Sequence, residues 1–417
     1  VKDDCHQTAT VLVDITLPCP PQQISVDPDR ILLDECPENN HWKREFRLRF
    51  SPLYTQLDEA DVTNPYDRPS LIFGPYLYGS AYADPWFAKS PLLGFKAGVY
   101  RTQEYYAGGF VAYRSNDRNF VAGVEGVIDH FPFPKTQVGF LVERNLSEWD
   151  SRDVENSRGV VYFRNVITRG SSLYLPPFEY FESFAAFENR SLPNPRNSPP
   201  GAMPFDQRPS LGLHYHKYFL TPYWDPEGGV ALDATYEYGP PIFGNEKSFH
   251  QAFGQVSWVK SMPKMDWLGS NAFADWLRDT RFAFRLGGAS ALPLRGQFFT
   301  LGGGDQFRGF DLAERQGSLT WLGSVEWRVP LCKDLGCDVC DHVAGIHGLF
   351  LAPFYDVGDC YVNGHSQGPV AHAFGVGLRC EVTWLGLIER TMFRFDVART
   401  INADTPWQFW FGVMHPF

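Results

Sequence analysis

The sequence predicts an all-β protein, a transmembrane antiparallel β-barrel of about 16 strands. Three observations carry this. Aromatic residues make up 16% and charged residues 20% of the 417, and 38 are glycine, yet the mean hydropathy is only −0.27. A sheet with lipid on one face and water on the other needs that mixture. No stretch reaches the roughly 18 uninterrupted apolar residues of a membrane helix. Apolar and polar residues alternate with period two through nearly every segment, which is the strand signature. In 281–287, Phe282, Phe284 and Leu286 alternate with Arg281, Ala283, Arg285 and Gly287. In 232–238, Leu232, Ala234, Tyr236 and Tyr238 alternate with Asp233, Thr235 and Glu237. A soluble sheet would need other segments to supply a wholly apolar core, and the sequence offers none.

Residues 1–69 read as a short, cysteine-containing periplasmic segment. Thr10–Thr16 is a strand candidate there, followed by Pro18, Pro20, Pro21 and Pro28, and the strand-like run Glu45–Tyr54 is placed outside the barrel. The barrel is assigned to 70–417. Its strands are expected near 71–83, 92–102, 104–115, 119–130, 136–146, 158–169, 173–188, 210–221, 229–239, 249–261, 280–291, 318–331, 347–359, 372–385, 391–400 and 407–417. Bacterial single-chain barrels have even strand numbers, which puts both termini on the periplasmic side. Thr102–Glu104 and Thr168–Ser171 are then short periplasmic turns, and Pro193–Pro209 is an outer loop. Two periplasmic connections are longer. In 262–279, Phe273, Trp276 and Leu277 fall at i, i+3 and i+4 behind Ser270 and Asn271, which predicts a short helix. The other, 332–346, carries Cys332, Cys337 and Cys340.

The net charge of −11 without a basic block argues against nucleic acid as a partner. The aromatic content excludes a disordered chain. Eight cysteines suit an exported protein. The expected location is the bacterial outer membrane, whose lipids are the first partner.

Three motifs stand in order in the last third. The first is Leu301-Gly302-Gly303-Gly304-Asp305-Gln306-Phe307-Arg308-Gly309-Phe310. The second is Leu322-Gly323-Ser324-Val325-Glu326-Trp327-Arg328-Val329-Pro330-Leu331, and the third is Phe354-Tyr355-Asp356-Val357-Gly358. Arg394-Phe395-Asp396 and the terminal run Trp407–Phe417 follow. On these residues the chain resembles the BamA-type bacterial surface-antigen superfamily of outer-membrane barrels. The resemblance is specific over 300–417 and weaker over 70–300.

The resemblance implies that the loop bearing Gly302, Gly303, Gly304, Arg308, Gly309 and Phe310 folds back into the barrel. An arginine buried there needs an anionic partner, because an unpaired buried guanidinium is costly. Glu326 and Asp356 lie on the next two expected strands, in phase with inward-facing residues, and are the expected partners. A bidentate arginine–carboxylate pair would fix the loop geometrically. Trp407, Phe409, Phe411, Val413 and Phe417 fall on one face of the last strand, similar to the superfamily's terminal assembly signal, with His415 as a departure. That strand must meet the first one to complete the barrel. Gly74, Pro75, Gly79 and Pro416 weaken the seam, since proline donates no ladder hydrogen bond.

Cys5, Cys19, Cys36, Cys332, Cys337 and Cys340 all fall on the periplasmic side, where a disulfide network joining the N-terminal segment to 332–346 is the favoured reading. Cys332, Cys337 and Cys340 with His342 or His347 make a weaker metal pattern than two clean zinc-ligand pairs. Cys360 and Cys380 read as free. His214 and His216 share one strand face but lack a third ligand in the sequence. Arg285, Glu237, Asp233, Arg394 and Asp396 are expected in an internal ion-pair network. No nucleophile elbow, His-Glu-x-x-His or other catalytic signature is present, so no enzyme, cofactor or resident metal is expected. The superfamily implies polypeptide export or insertion, with protein partners in an envelope complex. A scaffold barrel holding other subunits is the alternative, because the superfamily's periplasmic repeat modules are not recognisable in 1–69. A solute pore is disfavoured by the inward loop.

Overall fold

A computed structural model describes residues 14–21, 24–26, 41–42, 50–52, 70–77, 92–101, 104–114, 119–146, 156–169, 177–190, 207–222, 225–242, 247–262, 276–296, 298–333, 335–339, 343–384 and 388–416. Its main sheet is built from β1 (Ser70–Leu77), β2 (Leu92–Arg101), β3 (Tyr105–Arg114), β4 (Asn119–Asp129), β5 (Thr136–Asn145), β6 (Asn156–Thr168), β7 (Glu179–Arg190) and β8 (Gln207–Tyr218). It continues through β9 (Gly228–Gly239), β10 (Phe249–Ser261), β11 (Arg281–Leu292), β12 (Leu319–Cys332), β13 (Ala344–Val362), β14 (Ala371–Trp384), β15 (Ile388–Thr400) and β16 (Gln408–Val413). Each strand pairs antiparallel with its neighbours in the chain, as a sheet built from successive hairpins must.

The sheet inverts the usual sorting of side chains. On β6, Arg158, Val160, Tyr162, Arg164 and Val166 are buried while Val161, Phe163 and Ile167 are exposed. On β7, Glu182 and Glu188 are buried while Phe181 and Phe187 are exposed. Successive residues of a strand point to opposite faces, so the alternation read from the sequence becomes one charged face and one apolar face. The charged face is turned inward. Arg164 lies 2.8 Å from Glu182 there, between the rings of Tyr162 and Tyr180 at 4.3 and 4.2 Å. Arg158 reaches Glu237 at 3.4 Å, and Lys96 pairs with Glu125 and Arg114 with Glu143. A continuous exposed belt of Phe, Val, Ile and Leu is stable only against another apolar phase.

Three features depart from the sequence expectation. The run Glu45–Tyr54, expected outside the sheet, contributes Phe50–Pro52. This short strand pairs parallel with β1 (Phe50 opposite Leu71, Pro52 opposite Phe73) and stands between β16 and β1 in the strand order. An edge strand presents a row of unpaired N–H and C=O groups, and a second extended segment satisfies them. The last strand stops at Val413 rather than running to 417, because Met414 adopts a left-handed φ of 64° and turns the chain inward. The helix expected in 262–279 is represented by the single turn 276–278, and 263–275 lie outside the described residues. Among the described residues, no helix is long and apolar enough to cross a membrane.

Candidate functional site

The connection between β11 and β12 folds into the interior. It forms a small hairpin, Phe299–Leu301 against Arg315–Gly317, with residues 302–314 at its tip. Apolar residues seat it. Phe298 and Phe299 pack with Phe249, Phe253, Ala289 and Ala291. Leu301, Phe307 and Phe310 pack with Leu322, Cys360, Ala371 and Ala373. Two glycines permit the close fit. Gly302 has φ +134°, a conformation that L side chains rarely adopt. A Cβ on Gly309 would lie 2.4 Å from the Ala373 methyl. Gly304 approaches the Trp410 ring, and Gly303, buried beside it in the chain, has φ +129°.

Arg308 sits at the end of this loop with no exposed surface. Its Nε and Nη2 donate to the two oxygens of Asp356, both at 2.9 Å, and its Nη1 donates to Glu326 at 2.8 Å. The backbone N–H of Arg308 also donates to Asp356, at 3.2 Å. The guanidinium carbon lies over the Phe354 ring, 3.3 Å from its centroid. The Trp410 indole N–H donates to the Arg308 carbonyl at 2.9 Å. The loop is therefore held by β12 through Glu326, by β13 through Asp356 and Phe354, and by β16 through Trp410. Planar bidentate recognition of this kind is specific to arginine.

Four further guanidiniums complete the cluster. Arg379 on β14 bridges Glu326 at 2.9 Å and Asp396 at 2.6 Å. Arg328 donates to Glu326 at 3.1 Å. Arg394 on β15 pairs with Asp305 of the loop and donates to the Gly304 carbonyl at 3.1 Å. Arg285 on β11 donates to the carbonyls of Asp305 and Gln306 and to Ser324. Arg285, Arg394 and Asp396 thus join one network, while Glu237 pairs with Arg158 and Asp233 with His214 and His216. The sequence reading did not single out Phe354 or Trp410 as contacts of the loop, or Arg379 as a partner of Glu326. Their signal was phase alone: each alternates with outward residues on its strand.

The C-terminal tail reaches the same interior. The amide of Met414 donates to the Met392 carbonyl at 2.6 Å, and Arg285 donates to the Pro416 carbonyl at 3.3 Å. His415 Nε2 lies 3.0 Å from Asp225, in the connection between β8 and β9, and Arg281 donates to the same carboxylate at 2.6 Å. Burial opposes the charged form of Asp225, but the His415 hydrogen bond and the Arg281 charge outweigh it and hold the carboxyl well below its ordinary value. His415 itself is pushed toward the neutral form by burial and by Arg328, so it serves as an N–H donor and the lasting positive charge is that of Arg281.

A carboxyl held low in the folded state contributes stability above its ordinary pKa of about 3.9, and loses that contribution as the pH falls toward the lowered value. Asp225→Asn is therefore expected to lower the melting temperature at pH 7, with the gap to the parent protein closing below about pH 4. A gap that stays constant with pH would refute the assignment.

The other expected site residues distribute as follows. Phe409 is exposed, Trp407 is exposed ahead of β16, Phe411 stacks on Phe393 and meets Phe395 at a tilt, and Val413 is buried. Phe417 lies outside the described residues. Cys19, Cys332 and Cys337 are free thiols that the structure does not bridge to one another, and Cys5, Cys36 and Cys340 lie outside the described residues. Cys19, Cys332 and Cys337 are all exposed. Cys360 and Cys380 are also free.

No family model and no curated protein matches the chain. Solved structures do. BamA from Haemophilus ducreyi lacking POTRA domains 1–3 matches at 13% identity with a TM-score of 0.50, covering 85% of this chain and 73% of that one. CdiB from Acinetobacter baumannii matches at 11% identity, TM-score 0.43, over 86% of this chain and 64% of that one. CdiB from Escherichia coli matches at 12% identity, TM-score 0.45, over 84% of this chain and 65% of that one. The BamA match places the fold as that of a BamA-type barrel.

Proposed function

We propose that the 16 strands of 70–417, with Phe50–Pro52 set into the seam between the last and the first, form a closed outer-membrane barrel that inserts or exports polypeptide within an envelope complex, with both termini periplasmic and the rest of 1–69 as a periplasmic segment. The observation that carries this reading is the interior loop. Arg308, held between Glu326 and Asp356, keeps a folded hairpin inside the sheet where a solute channel would run. Buried ion pairs fill the opposite wall as well. A barrel with an occupied interior works at its wall rather than through its lumen.

One ladder of the wall is short. Phe50–Pro52 stands between β16 and β1, and its pairing with β1 covers only three residues. Such a short ladder is the cheapest part of the sheet to open and re-pair with an incoming strand. Ser51 and Ile72 are register partners there. A Ser51→Cys/Ile72→Cys disulfide is expected to block function in the native host and to be reversed by reductant. Undisturbed function in the locked form would exclude opening at that seam.

The wider test is depletion in the native host with quantitative proteomics of the envelope. Loss of specific outer-membrane or secreted proteins is the expected result. An unchanged envelope, with a stoichiometric partner retained on isolation in mild detergent, would make the barrel a scaffold instead.

A further inference from the structure

We propose that His214, His216 and Asp233 form a binding site for a first-row transition cation, with Zn2+ as the probe. β8 carries His214 and His216 two residues apart, on one face of the strand. β9 carries Asp233 as the register partner of His216. His216 Nδ1 lies 2.7 Å and His214 Nε2 3.2 Å from the same oxygen, Asp233 Oδ1. One ligand atom from each side chain falls within 4.8 Å of the others. Among the described residues this is the one such group of histidine, cysteine and carboxylate side chains.

The geometry suits a metal after small side-chain rotations. Zinc bonds of about 2.0–2.2 Å at tetrahedral angles put ligand atoms about 3.3–3.5 Å apart. The His216–Asp233 contact must open by about 0.6–0.8 Å and the widest separation, 4.8 Å at most, must close by up to about 1.5 Å, which side-chain torsions deliver without moving the strands. The cation would take the place of the two N···O contacts, using neutral imidazoles and one carboxylate oxygen. A fourth position stays open for water.

The surroundings support the ligands. His216 stacks on Tyr180 at 4.9 Å, and His214 meets the same ring edge-on at 5.6 Å. Glu182 Oε1 lies 3.9 Å from His214 Nδ1, the nitrogen left over when Nε2 binds metal. Arg164 donates to Glu182 at 2.8 Å and holds it there. A carboxylate behind a ligating imidazole fixes its tautomer and orientation. Two imidazoles select borderline transition ions over Mg2+ and Ca2+, which take oxygen ligands. A bound ion would clamp β8 to β9 in the interior, away from the Arg308 cluster.

The test uses the full chain in detergent, titrated with Co2+ and then Zn2+. The expected result is one equivalent of Co2+ with the visible absorption of a four- or five-coordinate nitrogen–oxygen site, displaced by Zn2+. His214→Asn/His216→Asn should lose it, and Glu182→Gln should weaken it by about 10–100-fold. Zn2+ should raise the melting temperature of the parent protein and not of the double variant. Asp233→Asn serves as a second probe, and retained heat-modifiable migration shows that each variant has folded. Equal Co2+ uptake by parent and variants would overturn the proposal. So would a cobalt–thiolate charge-transfer band, which would assign the ion to cysteines.

Discussion

Arg308→Ala is expected to destabilise the folded barrel by about 3–5 kcal/mol and to unseat the interior loop. The reason is asymmetric. In the native state Asp356 accepts from three N–H groups of Arg308, two from the guanidinium and one from the backbone. Truncation removes the guanidinium and leaves a buried carboxylate without its main counter-charge. Glu326 keeps Arg379 and Arg328, so the loss concentrates on β13. The ring of Phe354 also loses the cation that covers it. Arg308→Lys keeps the charge but offers a point donor in place of a fork, so a partial loss is expected. Urea unfolding in detergent gives the stability, and limited proteolysis at 302–314 reports the loop. An unchanged midpoint together with a protected loop would mean that Phe307, Phe310 and the hairpin seat the loop without the ion pairs.

Much of this site was legible because it rests on phase. Glu326 and Asp356 could be named from the sequence once the loop was expected inside, since period-two alternation fixes which residues of a strand point inward. The same rule located the wall. The run 280–291 was read as a strand from Phe282, Phe284 and Leu286, and β11 spans Arg281–Leu292. What phase cannot give is distance across the interior. Arg379 on β14 reaches Glu326 on β12 because those strands are two places apart on a curved sheet, and no local pattern records that curvature.

The seam failed for a different reason. Pairing at a sheet edge depends on which free segment happens to lie nearby, so Phe50–Pro52 looked like any other strand-like run. The turn at Met414 was hidden too, since a left-handed methionine has no sequence signature. The third group near His214 and His216 came from the adjacent strand, at a spacing set by the connection between β8 and β9 rather than by any motif.

Glu326→Gln should have the larger effect, at or above the upper end of the same range of about 3–5 kcal/mol, although it changes a single atom. Five buried guanidiniums (Arg285, Arg308, Arg328, Arg379 and Arg394) surround four buried carboxylates (Asp305, Glu326, Asp356 and Asp396) in the cluster. The balance is already positive, and Glu326 holds three of the five at 2.8–3.1 Å, whereas Asp396 holds only Arg379 that closely. An amide of the same shape removes the charge and points N–H groups at guanidiniums. Arg308 retains Asp356 and Arg379 retains Asp396, while Arg328 loses its hydrogen bond to Glu326. If charge imbalance rather than lost packing is the cause, removing a cation must help. Glu326→Gln combined with Arg328→Gln is then expected to be more stable than Glu326→Gln alone, with a coupling of about 1–3 kcal/mol in a double-mutant cycle. Additive losses in that cycle would show that Glu326 acts through geometry and not through its charge.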